Sequence, residues 1–376
     1  MAKIYLIRHC ESEGNATRRS QAQTDALVTV KGYEQNEILR RRFHNIHIDA
    51  VYSSDSYRSI MTAEPIAKEK GLPIHVRILL REVTTGVWED MAWGNIAQEY
   101  PEANKAWSDA PWENLTPGAS TFRQVAENTM HCLRRIAKEV GKDGVAVAVS
   151  HSCTIKATLC AILGKPMSSV KEFGHGDNTS VSLLDVDEDG NISVEFMNDD
   201  SHLPDRLKRA WGGVAGSDIN MAVYPCRLPQ QKDDLLRLAA MDAKDRGVDF
   251  DAESYLRNAE QLLREHPDYI AFAYLKGELS GFVRIEQAEE MAAGDVLIRQ
   301  LYVVPTLQGR GYGEQLFGYA CHTLRYEDQT RVVMSRDGTA EEKRVAARFV
   351  MQGLNGFPGY LSMYLYCPPC AYPVLA

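Results

Sequence analysis

From residue 3 to about residue 200, short apolar runs alternate with stretches whose apolar positions recur every three or four residues. Lys3 to Ile7, Asp49 to Ser53 and Val145 to Ser150 are nearly continuous in apolar residues, the pattern of strands buried on both faces of a parallel sheet. Gly32 to Phe43 and Ser56 to Lys70 carry helical spacing between them. That order predicts a layered α/β domain. Ser180 to Val186 and Ile192 to Phe196, joined by Asp-Glu-Asp-Gly-Asn, read as a hairpin that adds edge strands to the same sheet.

The pattern then changes. A basic helix-like piece, Asp205 to Trp211, runs into Gly212-Gly213-Val214-Ala215-Gly216-Ser217, whose composition is that of a flexible linker. The chain divides on this basis into residues 1–205, a linker over 206–221, and residues 222–376. Beyond Tyr224, two helix-like segments lead to Tyr269 to Leu275, a Lys-Gly-Glu turn, Gly281 to Glu286 and Val296 to Val304. These three runs predict an antiparallel meander.

At 376 residues the chain exceeds what one hydrophobic core normally serves, which supports two domains. A net charge of -9 supplies no overall field for a phosphate backbone, so nucleic acid is not an expected partner. No apolar stretch nears the roughly 20 residues of a membrane span, and charge interrupts the N-terminal apolar run too early for an export signal. The expected location is the cytoplasm, where the eight cysteines stay thiols. Cys367 and Cys370 form a C-x-x-C, but zinc sites normally need a second ligand pair, so no metal is assigned.

Three strands of the first domain end in reactive residues: Arg8-His9 after the first, Ser53 to Arg58 after the second, His151 after the third. The carboxyl ends of parallel strands form the ligand crevice of such sheets. Two arginines and two histidines gathered there repel one another unless an anion lies between them, and paired guanidinium groups match the oxygens of phosphate. Arg8-His9-Cys10-Glu11 through Asn15 resembles the R-H-G-E-x-x-x-N signature of the histidine phosphatase (phosphoglycerate mutase-like) superfamily. Leu27 to Gln35, Ser53-Ser54-Asp55 with Arg58 and Thr62-Ala63, Leu80-Arg81-Glu82 with Gly86, Trp88 and Glu89, and Val149-Ser150-His151 resemble its further motifs in order. The resemblance implies that His9 is the nucleophile, that Arg8, Arg58 and His151 cage the phosphoryl oxygens with Asn15 as an accessory ligand, and that Glu82 is the general acid. It implies no metal and a small phosphorylated metabolite as substrate. A carboxyl group that must start protonated predicts burial of Glu82.

One departure is Cys10, where the family usually has glycine; it narrows the pocket or simply packs, and a reactive thiol is the alternative. Mutases of the family resemble one another in a longer insertion before the second histidine. Here Glu82 and His151 lie 151 minus 82, or 69, residues apart, which favours a phosphatase over a mutase. Trp88, Trp93, Tyr100, Trp107 and Trp112 predict an aromatic cap, either a small core of its own or a stacking surface for substrate.

In the second half, Val296 to Val304, Pro305, Gln308-Gly309-Arg310-Gly311-Tyr312-Gly313 and a helical run to Leu324 form a strand, loop and helix. Backbone amides of a glycine-rich loop at a helix N-terminus form an anion site. In that context the loop resembles the coenzyme A pyrophosphate loop of GNAT-family N-acetyltransferases. The resemblance implies an α+β acyl-CoA-binding domain that takes acetyl-CoA, with Gln308, Gly309, Arg310, Gly311, Tyr312 and Gly313 around the pyrophosphate, Leu301 to Val303 along the pantetheine arm, and an amine as acceptor. The family's later A-x-x-L-Y-x-x-x-G-F pattern lines up with Ala346 to Leu354, and its usual tyrosine falls on Phe349. Tyr360 and Tyr364 are the candidate replacement acids. Three readings follow: a bifunctional phosphatase and N-acetyltransferase, a phosphatase with an acyl-CoA-sensing domain, or a phosphoglycerate mutase-type phosphotransferase.

Overall fold

The structure, a computed structural model, describes residues 1–174, 176–208, 219–287, 291–370 and 372–375. Strands β1 (Ala2–Arg8), β2 (Ala50–Ser53), β3 (Ile74–Val76) and β4 (Val145–Ser150) are parallel, in the order 3-2-4-1, and β5 (Val181–Val186) and β6 (Ile192–Asp199) extend them antiparallel beyond β1. Around them run α1 (Glu13–Ala16), α2 (Val30–Phe43), α3 (Tyr57–Lys70), α4 (Trp93–Glu99), α5 (Pro101–Asp109), α6 (Phe122–Val140) and α7 (Ser152–Ile162). The two-sided apolar character of β4 has a plain cause. Its Val147 and Val149 pack with Leu39, Phe43 and Ile66 of α2 and α3, while Ala146 and Ala148 pack with Leu133, Ile136 and Leu159 of α6 and α7. Each fully buried aliphatic side chain contributes about 1.5–3 kcal/mol, so a charge at either set would break a layer. This is the three-layer α/β arrangement expected.

The second sheet holds β7 (Ala222–Pro225), β8 (Ile270–Leu275), β9 (Glu278–Gln287), β10 (Asp295–Val303), β11 (Arg331–Ser335), β12 (Gln352–Leu354) and β13 (Phe357–Tyr364), in the order 12-13-11-10-9-8-7. Lys276 and Gly277, both at positive φ (52° and 82°), make the tight turn between β8 and β9 that the sequence indicated. All its neighbours are antiparallel except β10 and β11, which pair in parallel only from Asp295 to Leu297 and then part. Helices α8 (Lys232–Arg246) and α9 (Ala252–Glu265) cover one face, α10 (Tyr312–Tyr326) and α11 (Ala340–Arg348) the other.

Two expectations are revised, and a third falls outside what the structure describes. The helix proposed for Asp205 to Trp211 is, in its described part, one 3-10 turn at Asp205–Leu207. The glycine-rich segment 212–217 lies outside the described residues. A last strand, β14 (Val374–Leu375), returns to pair with β3 in the first sheet, an exchange that a clean division at 206–221 does not anticipate. Among the described residues no helix is long and apolar enough to cross a membrane.

Candidate active sites

His9 follows β1, His151 follows β4 and caps α7, and Arg58 lies in the first turn of α3 just after β2, so the parallel strand ends bring all three together. The rings of His9 and His151 are 5.1 Å apart between centroids, and both side chains are buried. His9 Nδ1 lies 2.6 Å from the Cys10 carbonyl, which only accepts, so Nδ1 carries the proton and Nε2 keeps a lone pair. Burial first, then Arg58 and Arg8, hold the His9 imidazole well below its ordinary pKa. His151 is held down by burial, then by Arg58 and His9. Its Nδ1 faces Arg58 Nη2 at 3.3 Å, and a guanidinium only donates. Nε2 of His151 therefore carries the proton and donates to Ser54 Oγ at 2.8 Å.

Arg58 is 1% exposed, with Nη2 donating to the Ala22 carbonyl at 2.8 Å and Nη1 to that of Thr24 at 3.1 Å. Its Nε is buried without a partner among the described residues, which leaves a charged donor for an anionic oxygen. Arg8 is buried and donates to the Gly176 carbonyl at 2.6 Å. Asn15 accepts from Ser12 and from Asn178 Nδ2, and the same Asn178 amide donates to the His9 carbonyl at 2.9 Å.

Glu82 is half-buried rather than buried, because it stands at the open start of α7. Its Oε1 accepts from Val83 N, Thr154 N and Thr154 Oγ1, and Oε2 from Cys153 N at 3.1 Å. With three donors on Oε1, a proton on this carboxyl has its place on Oε2. A cavity of about 160 Å³ adjoins His151, lined by Ala22, Gln23, Asp25, Asp55, Ser56 and Arg81.

Sequence reasoning gave Glu89 a place in a motif but no task, and it missed Asn178. Glu89 Oε2 accepts from the amides of Ala22, Gln23 and Thr24 while Oε1 accepts from Thr85. It thereby shapes the loop whose carbonyls hold Arg58. Burial pushes its carboxyl up, but the Thr24 and Thr85 hydrogen bonds outweigh that and the net shift is downward. Asn178 could have been suspected from the polar Gly176-Asp177-Asn178-Thr179 run that leads into β5.

Cys10 does not face the crevice as a reactive thiol. It is buried with Val28 and Tyr57 against Leu27, Met61 and Cys367, and burial pushes its thiol up to about 12. The cap aromatics contact one another, with Trp88 within 6.3 Å of Trp93, Tyr100 and Trp107, and Trp107 6.1 Å from Phe122. They form a small core.

In the second domain, Gly309 and Gly311 take positive φ (73° and 84°), and Gly311 caps α10, as a phosphate-cradling loop requires. Side chains of the same chain already engage several of its groups. Gly309 N donates to Glu341 Oε2 at 3.0 Å, Leu301 N to Glu342 Oε1 at 3.1 Å, and Gln308 Nε2 donates to the Val303 carbonyl at 2.9 Å. A Cβ on Gly313 would lie 2.7 Å from Glu341 Oε1, so its lack of a side chain serves that carboxylate. Tyr312 is buried, whereas Arg310 is exposed. Glu342 also binds Arg246 Nη2 at 2.6 Å, and Arg246 Nε binds Asp242 Oδ2 at 2.8 Å. A guanidinium from α8 thus reaches a glutamate of α11 on the opposite face, through the gap where β10 and β11 part. In this conformation Glu341 lies on a backbone donor of the glycine-rich loop, and Glu342 on a backbone donor of β10.

Phe349 is buried and stacked on Phe317 at 4.4 Å. The replacement acids are not brought to that side: Tyr360 packs with Leu297 and Val333 on the face turned away from α10, and Tyr364 is 65% exposed beside Arg331.

Residues 4–200 match the family model of the histidine phosphatase superfamily (branch 1), and residues 235–354 that of the acetyltransferase (GNAT) family. "Phosphoserine phosphatase 1" of Hydrogenobacter thermophilus is 30% identical over 203 residues, 54% of this chain and 95% of that protein. "Probable phosphoglycerate mutase GpmB" of Salmonella typhi is 28% identical over 207 residues, with 54% and 95% covered. Among solved structures, YhfR of Bacillus stearothermophilus superposes with a TM-score of 0.51 at 27% identity, covering 54% of this chain and 99% of that one.

Proposed function

We propose, for a chain that belongs to the histidine phosphatase superfamily (branch 1) and carries a GNAT-family acetyltransferase domain, that the first domain hydrolyses small phosphomonoesters through a phosphohistidine at His9. The observation that carries this is a neutral His9 whose Nε2 keeps its lone pair, 5.1 Å between ring centroids from His151, in a site that also holds Arg58 with a buried, unpartnered Nε. Nε2 attacks phosphorus in line as the phosphorus–oxygen bond to the alcohol breaks. The leaving oxygen takes the proton from Glu82. Arg8, Arg58, His151 and Asn15 then carry the charge spread over the phosphoryl oxygens. Water attacks the phosphohistidine, its proton passes to Glu82, and the phosphorus–nitrogen bond breaks to release phosphate and free His9.

The Hydrogenobacter relative is called a phosphoserine phosphatase, which makes phosphoserine the first candidate to try. The separation of 151 minus 82, or 69, residues supports a site open to water rather than a mutase. The test is phosphate release against isomer formation over a panel of phosphorylated metabolites that includes phosphoserine and 3-phosphoglycerate, with EDTA present. Release that survives the chelator is expected; isomerisation without release would favour the mutase.

For the second domain the reading is acetyl-CoA binding at residues 308–313, with transfer to an amine left to a route that needs no phenol at Phe349. The positive-φ glycines of the loop favour it. Glu341 and Glu342 oppose it as the domain stands, and Glu314, pushed up by burial with Glu341 adding to the shift, deepens the acidic surroundings. Calorimetric titration with acetyl-CoA should therefore give weak binding to the native chain and tighter binding to a Glu341→Gln/Glu342→Gln variant. Absence of binding to both would remove acetyl-CoA from this domain.

A further inference from the structure

The segment that follows the nucleophile is held from the other domain. Glu11 and Glu13 flank Ser12, the cap of α1, and α1 carries Asn15. Both carboxylates are buried, at 7% and 2% exposure. Arg325, at the end of α10, grips Glu13 with two hydrogen bonds of 2.7 and 2.6 Å. Arg348, at the end of α11, donates to Glu11 at 2.8 Å, where Thr29 Oγ1 also donates and Lys31 lies 3.4 Å away. These partners stand 312 and 337 residues from the glutamates they bind. The helices themselves are seated closely. A Cβ on Gly318 of α10 would lie 2.5 Å from Thr17, and His322 of α10 binds Asp90, which also binds Arg19.

We propose that Arg325 and Arg348 are positioning residues for phosphoryl transfer in the other domain, acting through Glu13 and Glu11. The proposal rests on the phosphatase reading of His9. A phosphoryl group on His9 must be accommodated by a segment that carries buried carboxylates two and four residues further on, and a buried charge left unpaired would pull that segment out of place. Arg325 and Arg348 pair with these carboxylates and cancel their charge. They also fix the cap of α1, and with it the Asn15 amide. The second domain is in this respect a working part of the phosphatase.

The test uses the full chain. Arg325→Gln should raise KM and the inhibition constant of inorganic phosphate roughly tenfold, with kcat on an activated aryl ester changed about threefold or less, as expected when a ground-state and transition-state contact is lost alike. Arg348→Gln, whose partner keeps Thr29 and Lys31, should show the same split more weakly and is the variant to rely on should Arg325→Gln fail to fold. Glu13→Gln/Arg325→Gln, which removes both charges, should restore phosphate affinity, because the penalty comes from the unpaired carboxylate. A lowered melting temperature with unchanged phosphate inhibition in both single variants would overturn the proposal, and so would a double variant that is not rescued. A wild-type chain that hydrolyses no ester would instead remove the phosphatase reading itself.

Discussion

At the scale of single residues, His9 and His151 are neutral because they are buried beside guanidinium groups, and this has a consequence for stability. Their folded pKa values lie below the ordinary 6.5, so as pH falls past that value the unfolded chain takes up protons that the native state refuses. The contribution is present above pH 6.5 and is lost below it, with a limiting slope of about 2.7 kcal/mol per pH unit for two such groups. Melting curves from pH 7 down to pH 5 should show that slope, and it should flatten in a His9→Asn/His151→Asn variant; an unchanged slope would mean that other groups set it. Glu82→Gln is expected to slow poor leaving groups far more than activated aryl phosphates, by roughly 100-fold or more, since only the former need a proton. Equal losses on both would take Glu82 out of that role. Residues of this kind were legible because their types carry the chemistry. Asn178 was less so, since a side chain that braces a backbone carbonyl has no mark beyond the polar run it sits in.

Among elements, the decisive one is the loop at residues 22–24. It has no regular structure, yet its carbonyls orient Arg58 and its amides converge on Glu89. Glu89→Gln places an amide group among donors that need an acceptor, which should release the loop. A fall in kcat/KM of about 10- to 100-fold is expected, with a loss of a few degrees in melting temperature. Activity within twofold of the native enzyme would show that the loop holds without it. Strands β1, β2, β4, β5 and β6 and helices α2 and α3 were readable from apolar periodicity, whereas the longest helix, α6, was not singled out. β3 and β14 were not, since three and two residues give no period to read and His75 interrupts the apolar pattern of β3. Helix α11 misleads in another way. Glu341 and Glu342 look in sequence like a solvated first turn, whereas both are buried on backbone donors of the loop and of β10.

For the whole molecule, a glycine-rich linker implies two bodies that move apart, and the contacts point the other way. Asn95 pairs through its amide with both backbone groups of Val223, a Cβ on Gly94 would lie 2.1 Å from the backbone of Met221, and β14 extends the first sheet from the far end of the chain. Such an interface is hard to read in sequence because its ion pairs and small residues are also what exposed faces carry. Calorimetry should record one unfolding transition for the native chain, and two for Gly318→Val, in which the added side chain drives α10 off Thr17. A single unshifted transition in that variant would show that the domains do not depend on this contact. Phosphoryl transfer in this chain stands on His9. Rapid alkaline quench of the enzyme during turnover in the presence of EDTA, followed by peptide mass analysis kept above neutral pH, should find one phosphoryl group on His9 and none in His9→Ala; a phosphorylated enzyme in His9→Ala, or turnover by that variant at the native rate, would contradict it.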